Sequence, residues 1–347
     1  MRSAGVTALF SAGLAAMPGG VAWAQAQPIA QASAQPVAQA LAQVQLGALG
    51  QAQSQLEAQA QPQPQTLAPA SASAGPDANN SGPIADYFAD WFDRVEAAQA
   101  SQPHWMTPLV TVTPRLEQEV RYDQYWESRG NGSTLDIFDS GKGLELIPTE
   151  TNEVLINPPA YQYKGNTATP ANGWLDDQFL VVKQRLLSAN EDNGNYIVTA
   201  FLGITAASGN SAFTNGTWII TPTIAAGKGW GDFDIQATTG VAFPFKNQST
   251  FGTSIATNIT FQYHFMQYFW PEFEFNNTYW ANGEQRGGKD QVFLTPGIIL
   301  GRFEIYKRIK MSIGGGYQVA VSPKWVDTTE QTPQYKHAWL LSARVTF

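Results

Sequence analysis

The stretch HAWLLSARVTF, His337–Phe347, decides the fold. Trp339, Leu341, Ala343, Val345 and Phe347 make one apolar set at every second position. Ser342, Arg344 and Thr346 fall between them, with Leu340 the exception. A side-chain period of two marks an extended strand with two unlike faces. The strand runs to the last residue, an aromatic ring beside a carboxylate. Its edge needs a partner, and closure onto an earlier strand would supply one without leaving any edge free.

The same alternation recurs upstream. In LVTVTPRLEQEVRYD, Val110, Val112, Leu116, Val120 and Tyr122 oppose Arg115, Glu117, Glu119, Arg121 and Asp123. In DFDIQATTGVAFPF, Phe233, Ile235, Ala237, Val241, Phe243 and Phe245 oppose Asp232, Asp234, Gln236 and Thr238. FGTSIATNITFQYHF and IKMSIGGGYQVAV repeat the pattern. Twelve segments read as strands: 107–124, 135–148, 152–163, 176–189, 195–207, 216–227, 231–246, 250–267, 271–281, 289–303, 308–322 and 336–347. Most run to ten residues or more, the length a tilted strand needs to cross a bilayer. Short connectors (IPTETN, AGKGWG, YFWPE, EIYKR) alternate with long polar ones (YKGNTATPANGW, ASGNSAFTN, NGEQRGGKD, SPKWVDTTEQTPQ), and KNQST is the one short exception on the long side. Tyr268, Phe269 and Trp270 cluster at one turn, Tyr279 and Trp280 at the other end of the next strand. Trp218, Trp230, Trp325 and Trp339 also fall near strand ends. Aromatic residues gathered at both ends of strands suit the two headgroup levels of a membrane. The expected fold is all-β: a transmembrane antiparallel up-and-down β-barrel of about twelve strands over 107–347, with one short N-terminal amphipathic helix.

Composition divides the 347-residue chain. Residues 1–83 hold only Arg2, Glu57 and Asp77 as charges and only one of the eleven tryptophans. Residues 1–24 read as a signal peptide, with Arg2, an apolar AGVTALFSAGLAAM core and an Ala22-Trp23-Ala24 cleavage site. Residues 25–82 are rich in Ala, Gln and Pro and bury too little apolar surface to offset their ordering entropy, so disorder is expected there. Next comes a helix over 83–98. Ser81 is its cap, Pro83 its first residue, and Ile84, Tyr87, Phe88, Trp91, Phe92 and Val95 form an apolar face. Such a helix packs on the protein, lies on a membrane surface or caps a pore mouth. The net charge of −8, with no basic cluster, argues against nucleic acid as a partner. With no cysteine there is no disulfide framework and no thiolate metal site.

The ending, with Phe347 last and apolar residues at alternate positions back to Trp339, resembles the C-terminal signature of bacterial outer-membrane barrels. In that class the signature, here Trp339, Leu341, Ala343, Val345 and Phe347, is read by the barrel-assembly machinery. The resemblance implies outer-membrane lipid and that machinery as partners. QPHWMTPLVTVTPRLEQEVRYD followed by DIFDSGKGLELIPTE also resembles transporters similar to the barrel encoded with the meta pathway of phenol degradation. That resemblance implies uptake of small organic solutes, aromatic ones among them, and defines no site residues.

If Phe347 faces lipid, parity turns Arg115, Glu117, Glu119, Arg121, Lys183, Arg185, Asp232, Asp234, His264, Glu274 and Arg344 towards the lumen. At mid-depth against hydrocarbon each charge would cost up to about 2–4 kcal/mol. Inside, they either pair into a network that fills the barrel or line a solute path. Chemistry of other kinds has little support. His104, His264 and His337 are scattered, which gives neither a metal-ligand spacing nor a cofactor site. A pairing of His264 with Ser254 has no supporting motif, so no catalytic residue is assigned. SIGGGYQ reads as a close-packing point inside a strand rather than a phosphate loop. Two other function classes stay open at this level: a barrel hydrolase, and a secreted β-sandwich that binds a ligand.

Overall fold

A computed structural model describes residues 83–129, 132–139, 143–284, 286–322 and 335–347. The expected signal peptide and linker, Ser81 and Trp325 lie outside the described residues. The described chain begins with two helical pieces, α1 (Pro83–Ala89) and α2 (Trp91–Ala100). They run on from one another: the Asp90 N–H donates to the Asp86 carbonyl at 3.1 Å, and the Arg94 N–H to the Asp90 carbonyl at 3.2 Å.

Fifteen strand segments follow: β1 (Glu119–Ser128), β2 (Thr134–Phe138), β3 (Gly143–Thr149), β4 (Asn152–Ile156), β5 (Tyr161–Gly165), β6 (Ala171–Trp174), β7 (Asp177–Ala189), β8 (Tyr196–Ala206), β9 (Ile219–Trp230), β10 (Phe233–Pro244), β11 (Ser254–Tyr263), β12 (Phe269–Trp280), β13 (Asp290–Tyr306), β14 (Ile309–Ser322) and β15 (His337–Thr346). Three pairs (β2 with β3, β4 with β5, β6 with β7) are single strands interrupted once, so the wall has twelve staves. All neighbours are antiparallel, and β15 pairs with β1 from Glu119↔Thr346 to Ser128↔His337. That pairing closes the cylinder and removes both edges. A single closed sheet excludes the β-sandwich, which needs two sheets packed face to face.

One finding overturns the expected first strand. Residues 107–118 are not in the wall, which begins at Glu119. From α2 the chain turns into the barrel at the short-turn end, reaches mid-depth near Val110, and returns to start β1 at the same end. Its side chains trace this path. Trp105, Met106 and Leu109 pack with Ile197, Trp270 and Ile299; Val110 packs against Phe293, Tyr335, Ala338 and Leu340; Val112 against Leu155, Val181, Phe201 and Ala225; Leu116 against Val95, Ala98 and Ile147. Pro103, Pro108 and Pro114 supply the physical reason, since a proline cannot donate to a ladder and is confined to strand starts, edges and bulges. The alternation misleads because an extended chain threaded between an apolar and a polar wall also has a period of two.

The two faces of the wall are inverted relative to a soluble protein. Outward positions carry Val120, Leu202, Phe273, Ile298 and Leu341, each about 40–50% exposed. Inward positions carry Gln236, Thr260, Gln262, Glu274, Thr295, Ser312 and Arg344, all nearly fully buried. In the terminal strand, Trp339, Leu341 and Val345 point out while Ala338, Leu340, Ser342 and Arg344 point in. Exposed aromatic residues lie in two belts. Trp126, Trp218, Tyr279 and Trp339 sit towards the long loops, and Trp230, Tyr263, Phe269 and Tyr306 towards the short turns. Trp270 and Trp280 are corrections: both are buried on the inward face, not at the headgroup level.

Candidate functional site: the lumen and its inserted segment

An extended segment inside a lumen has no ladder, yet every buried backbone N–H and C=O still needs a partner. Residues 102–118 take most of theirs from inward side chains of the wall, and others from Gln102 and Arg115 of the segment itself. Glu272 accepts the Leu109 N–H at 3.0 Å. Glu274 accepts the Val110 and Thr111 N–H groups at 2.7 and 2.6 Å, together with the Thr111 hydroxyl. Glu153 accepts the Glu117 N–H at 2.6 Å. Carbonyls are met by cations and amides. Arg344 donates to the Thr107 and Pro108 carbonyls, Arg121 to Leu109 at 2.6 Å, Arg302 to His104 and Trp105 at 3.0 and 2.8 Å. Lys183 donates to Arg115 at 3.3 Å and Gln236 to Met106 at 2.9 Å. The Gln102 amide bridges both backbone groups of Leu116, at 2.8 and 2.9 Å.

Direct ion pairs complete the network. Arg115 meets Glu117 at 2.7 Å, Arg121 meets Asp123 at 2.9 Å, and Lys183 meets Glu153 at 2.8 Å. Buried charges are tolerable only with such partners. Small residues on the wall make room for the insert: a Cβ on Gly314 or Gly316 would come within 2.8 or 2.9 Å of the Leu109 side chain. This is the use of the SIGGGYQ run.

The lumen positions expected from parity are distributed as follows. Glu119, Arg121, Lys183, Arg185, Asp234, Glu274 and Arg344 are buried on the inward face of wall strands. Arg115 and Glu117 are buried too, but on the inserted segment rather than the wall. Asp232 is exposed in the turn after β9. His264 lies just past β11, half-buried at the short-turn mouth, with its ring stacked 4.1 Å from that of Trp270. Ser254 begins β11, at the opposite end from His264, so no Ser–His pair is assembled. Parity overlooked Glu145, Glu153 and Glu272. Glu145 and Glu153 are single inward carboxylates on mainly apolar segments, whereas Glu272 lies two residues before Glu274 on β12, and the strand period alone could have found all three. Among the described residues, no group of three or more His, Asp or Glu side chains could hold a metal ion.

At the short-turn mouth, α2 seats Val95 and Ala98 over Leu116 and Ile147, and so caps the opening. Ile84 and Phe88 of α1 remain exposed. His104 holds the turn before β8: its backbone N–H donates to Glu191 at 2.6 Å, and its ring lies 2.9 Å from the same carboxylate. Partial burial would raise the pKa of Glu191, but the two contacts from His104 outweigh it and hold the carboxyl below its ordinary range. A mouth cavity of about 370 Å³ lies beside this contact, lined by Trp105, His264, Trp270 and Arg302 among others. Deeper in, past the tip of the insert, lies a cavity of about 170 Å³ bounded by Val112, Leu155, Val181 and Phe201.

No protein-family model and no curated protein matches the chain. Among solved structures, the chain is similar to an outer-membrane channel from Pseudomonas putida F1, at 16% identity and TM-score 0.45, over 66% of this chain and 94% of that one. It is similar to the NanC porin at 9% identity and TM-score 0.39, over 66% and 98%. It is similar to the KdgM porin, solved with disordered oligogalacturonate, at 10% identity and TM-score 0.37, over 66% and 99%.

Membrane placement follows from the two faces of the barrel itself. A closed antiparallel cylinder with an apolar exterior, two aromatic belts and a polar interior fits hydrocarbon outside and not water. The chain folds as a membrane-spanning β-barrel of the outer-membrane type.

Proposed function

We propose that the protein is an outer-membrane channel for small solutes, closed in its resting state by its own residues 102–118. One observation carries this reading. The short-turn half of the lumen is filled by a segment held through hydrogen bonds and ion pairs, not built from the wall, and cavities flank it on both sides. A wall-built constriction would be permanent, whereas a seated segment can leave. Inward charges of both signs would then face the solute path once the segment moves, and tune which solutes pass. The candidates are Glu119, Arg121, Lys183, Asp234, Glu274 and Arg344.

The resemblance of 102–123 and 136–150 to transporters of the phenol meta-pathway type supports small organic solutes as the cargo. We place transport ahead of hydrolysis because the inward carboxylates and cations are engaged with backbone groups of the insert rather than with a nucleophile.

Purified protein in planar bilayers tests the proposal. The expected record is brief stepwise currents from the wild type, and longer, larger steps when residues 102–113 are deleted. Silence from both proteins, each in a barrel that still shifts its gel mobility on heating, would rule out a channel.

A further inference from the structure

The cavity past the insert differs chemically from everything below it. Val112, Leu155, Asn157, Val181, Phe201 and Ala256 line it together with threonines, glycines and a second asparagine, and no charged residue is among them. Asn157 stands out. It follows β4 and precedes Pro158 and Pro159, which cannot donate to a ladder and so interrupt the stave between β4 and β5. The interruption leaves Asn157 outside the sheet pairing, with its side chain only 3% exposed. Neither its amide nitrogen nor its amide oxygen has a hydrogen-bond partner among the described residues. A buried amide without partners is costly and calls for an explanation. A ligand in the adjoining cavity supplies one.

We infer that this cavity is a binding site for an uncharged molecule about the size of one six-membered ring, bearing a hydroxyl or amide that both donates to and accepts from Asn157. The inference rests on the channel reading and names the solute class the channel holds on its way. Size agrees: about 170 Å³ is close to the roughly 150 Å³ of an engineered apolar cavity that admits benzene. Polarity agrees as well. Val112, Leu155, Val181 and Phe201 give apolar walls, Asn157 gives a donor and an acceptor, and the lining offers an ion no counter-charge, since the Lys183 ammonium over the Phe201 ring is already paired with Glu153 at 2.8 Å. Val112 belongs to the insert, so a bound molecule touches the segment that closes the path.

Benzyl alcohol is the probe, with benzoate as its charged counterpart, titrated by ligand-observed NMR against the full chain folded in detergent. The variants are Asn157→Leu, which removes the amide, and Ala256→Leu, which fills the cavity from the opposite wall. The wild type should bind benzyl alcohol at least about tenfold more tightly than benzoate, and each variant, with heat-shifted gel mobility intact, should weaken benzyl alcohol by about tenfold or more. No binding by the wild type, equal binding of benzoate, or undiminished binding in either folded variant would overturn the site. Bilayer currents from the same preparations separate the two claims. Currents without binding leave a channel lacking this site, and binding without currents leaves the site in a barrel that is no channel.

Discussion

The two halves of the lumen are built on different principles. Towards the short turns, inward positions carry Glu119, Arg121, Glu153, Lys183, Glu272, Glu274 and Arg344, and the space between them is filled by residues 102–118. Towards the long loops, the cavity wall carries threonine, asparagine, glycine and apolar side chains, and of the insert only Val112 borders it. Most inward charge follows the insert; towards the long loops the wall keeps Glu127, buried and paired with Arg129 at 3.1 Å. A segment with no ladder of its own must borrow acceptors and donors, and carboxylates and guanidinium groups are the strongest lenders. Beyond the insert's tip the demand ends, and so does the charge lining the cavity. The inward charges therefore hold a segment in place first. Any role along a solute path comes second.

The sharpest way to break this comparison is Glu274→Ala. It strips the acceptor from two backbone N–H groups and from the Thr111 hydroxyl. Hydrogen bonds to a charged group are worth about 1.5–3 kcal/mol each, so loss of the two backbone bonds alone should weaken the seat by about 3–6 kcal/mol. The expected outcome is protease access to 102–118 and larger bilayer currents, from a barrel whose heat-shifted mobility is unchanged. If the segment stays protected, the lower half is not held as described. Gly316→Val should have a smaller effect, near 1–3 kcal/mol, because its new side chain meets Leu109. Adding Leu109→Ala should restore much of the closure, read as the interaction energy of a double-mutant cycle in open probability.

The smallest expected effect lies at the mouth. Glu191 is held below its ordinary pKa by its contacts with His104. A depressed carboxyl contributes stability above its unfolded pKa and loses it as pH falls through its folded one. Wild type should thus close slightly better than Glu191→Gln at neutral pH, and the difference should fade below about pH 4. A difference that persists undiminished well below that pH, or the absence of any difference at neutral pH, would show that the contact does not support closure.

Most of the barrel was legible because a side-chain period of two survives in strands with one lipid face. β10, β11, β14 and β15 show it plainly. The insert was not legible, because LVTVTPRLEQ alternates as a wall strand does. Only the prolines at 103, 108 and 114 marked it as a chain that forms no ladder. Asp232 and His264 were misplaced for a related reason: parity extends past the end of a strand, but pairing does not, so one sits in a turn and the other at a mouth. The carboxylates at 145, 153 and 272 obey parity, yet those at 145 and 153 are single inward charges among apolar neighbours and are quiet in a sequence. The purpose of Glu153 and Glu272 becomes visible only when the backbone they serve lies beside them. The interruption at Asn157 was also written as proline, in the Asn-Pro-Pro run.

The most direct test of the central claim uses the absence of cysteine from the chain. Leu109→Cys combined with Gly316→Cys places one thiol on the insert and one on the wall where the two now touch. The account predicts that mild oxidation links them in the folded barrel, that the linked protein passes no current in a planar bilayer, and that reduction restores brief openings. A pair that fails to link, or a linked barrel that conducts as the reduced one does, would contradict it.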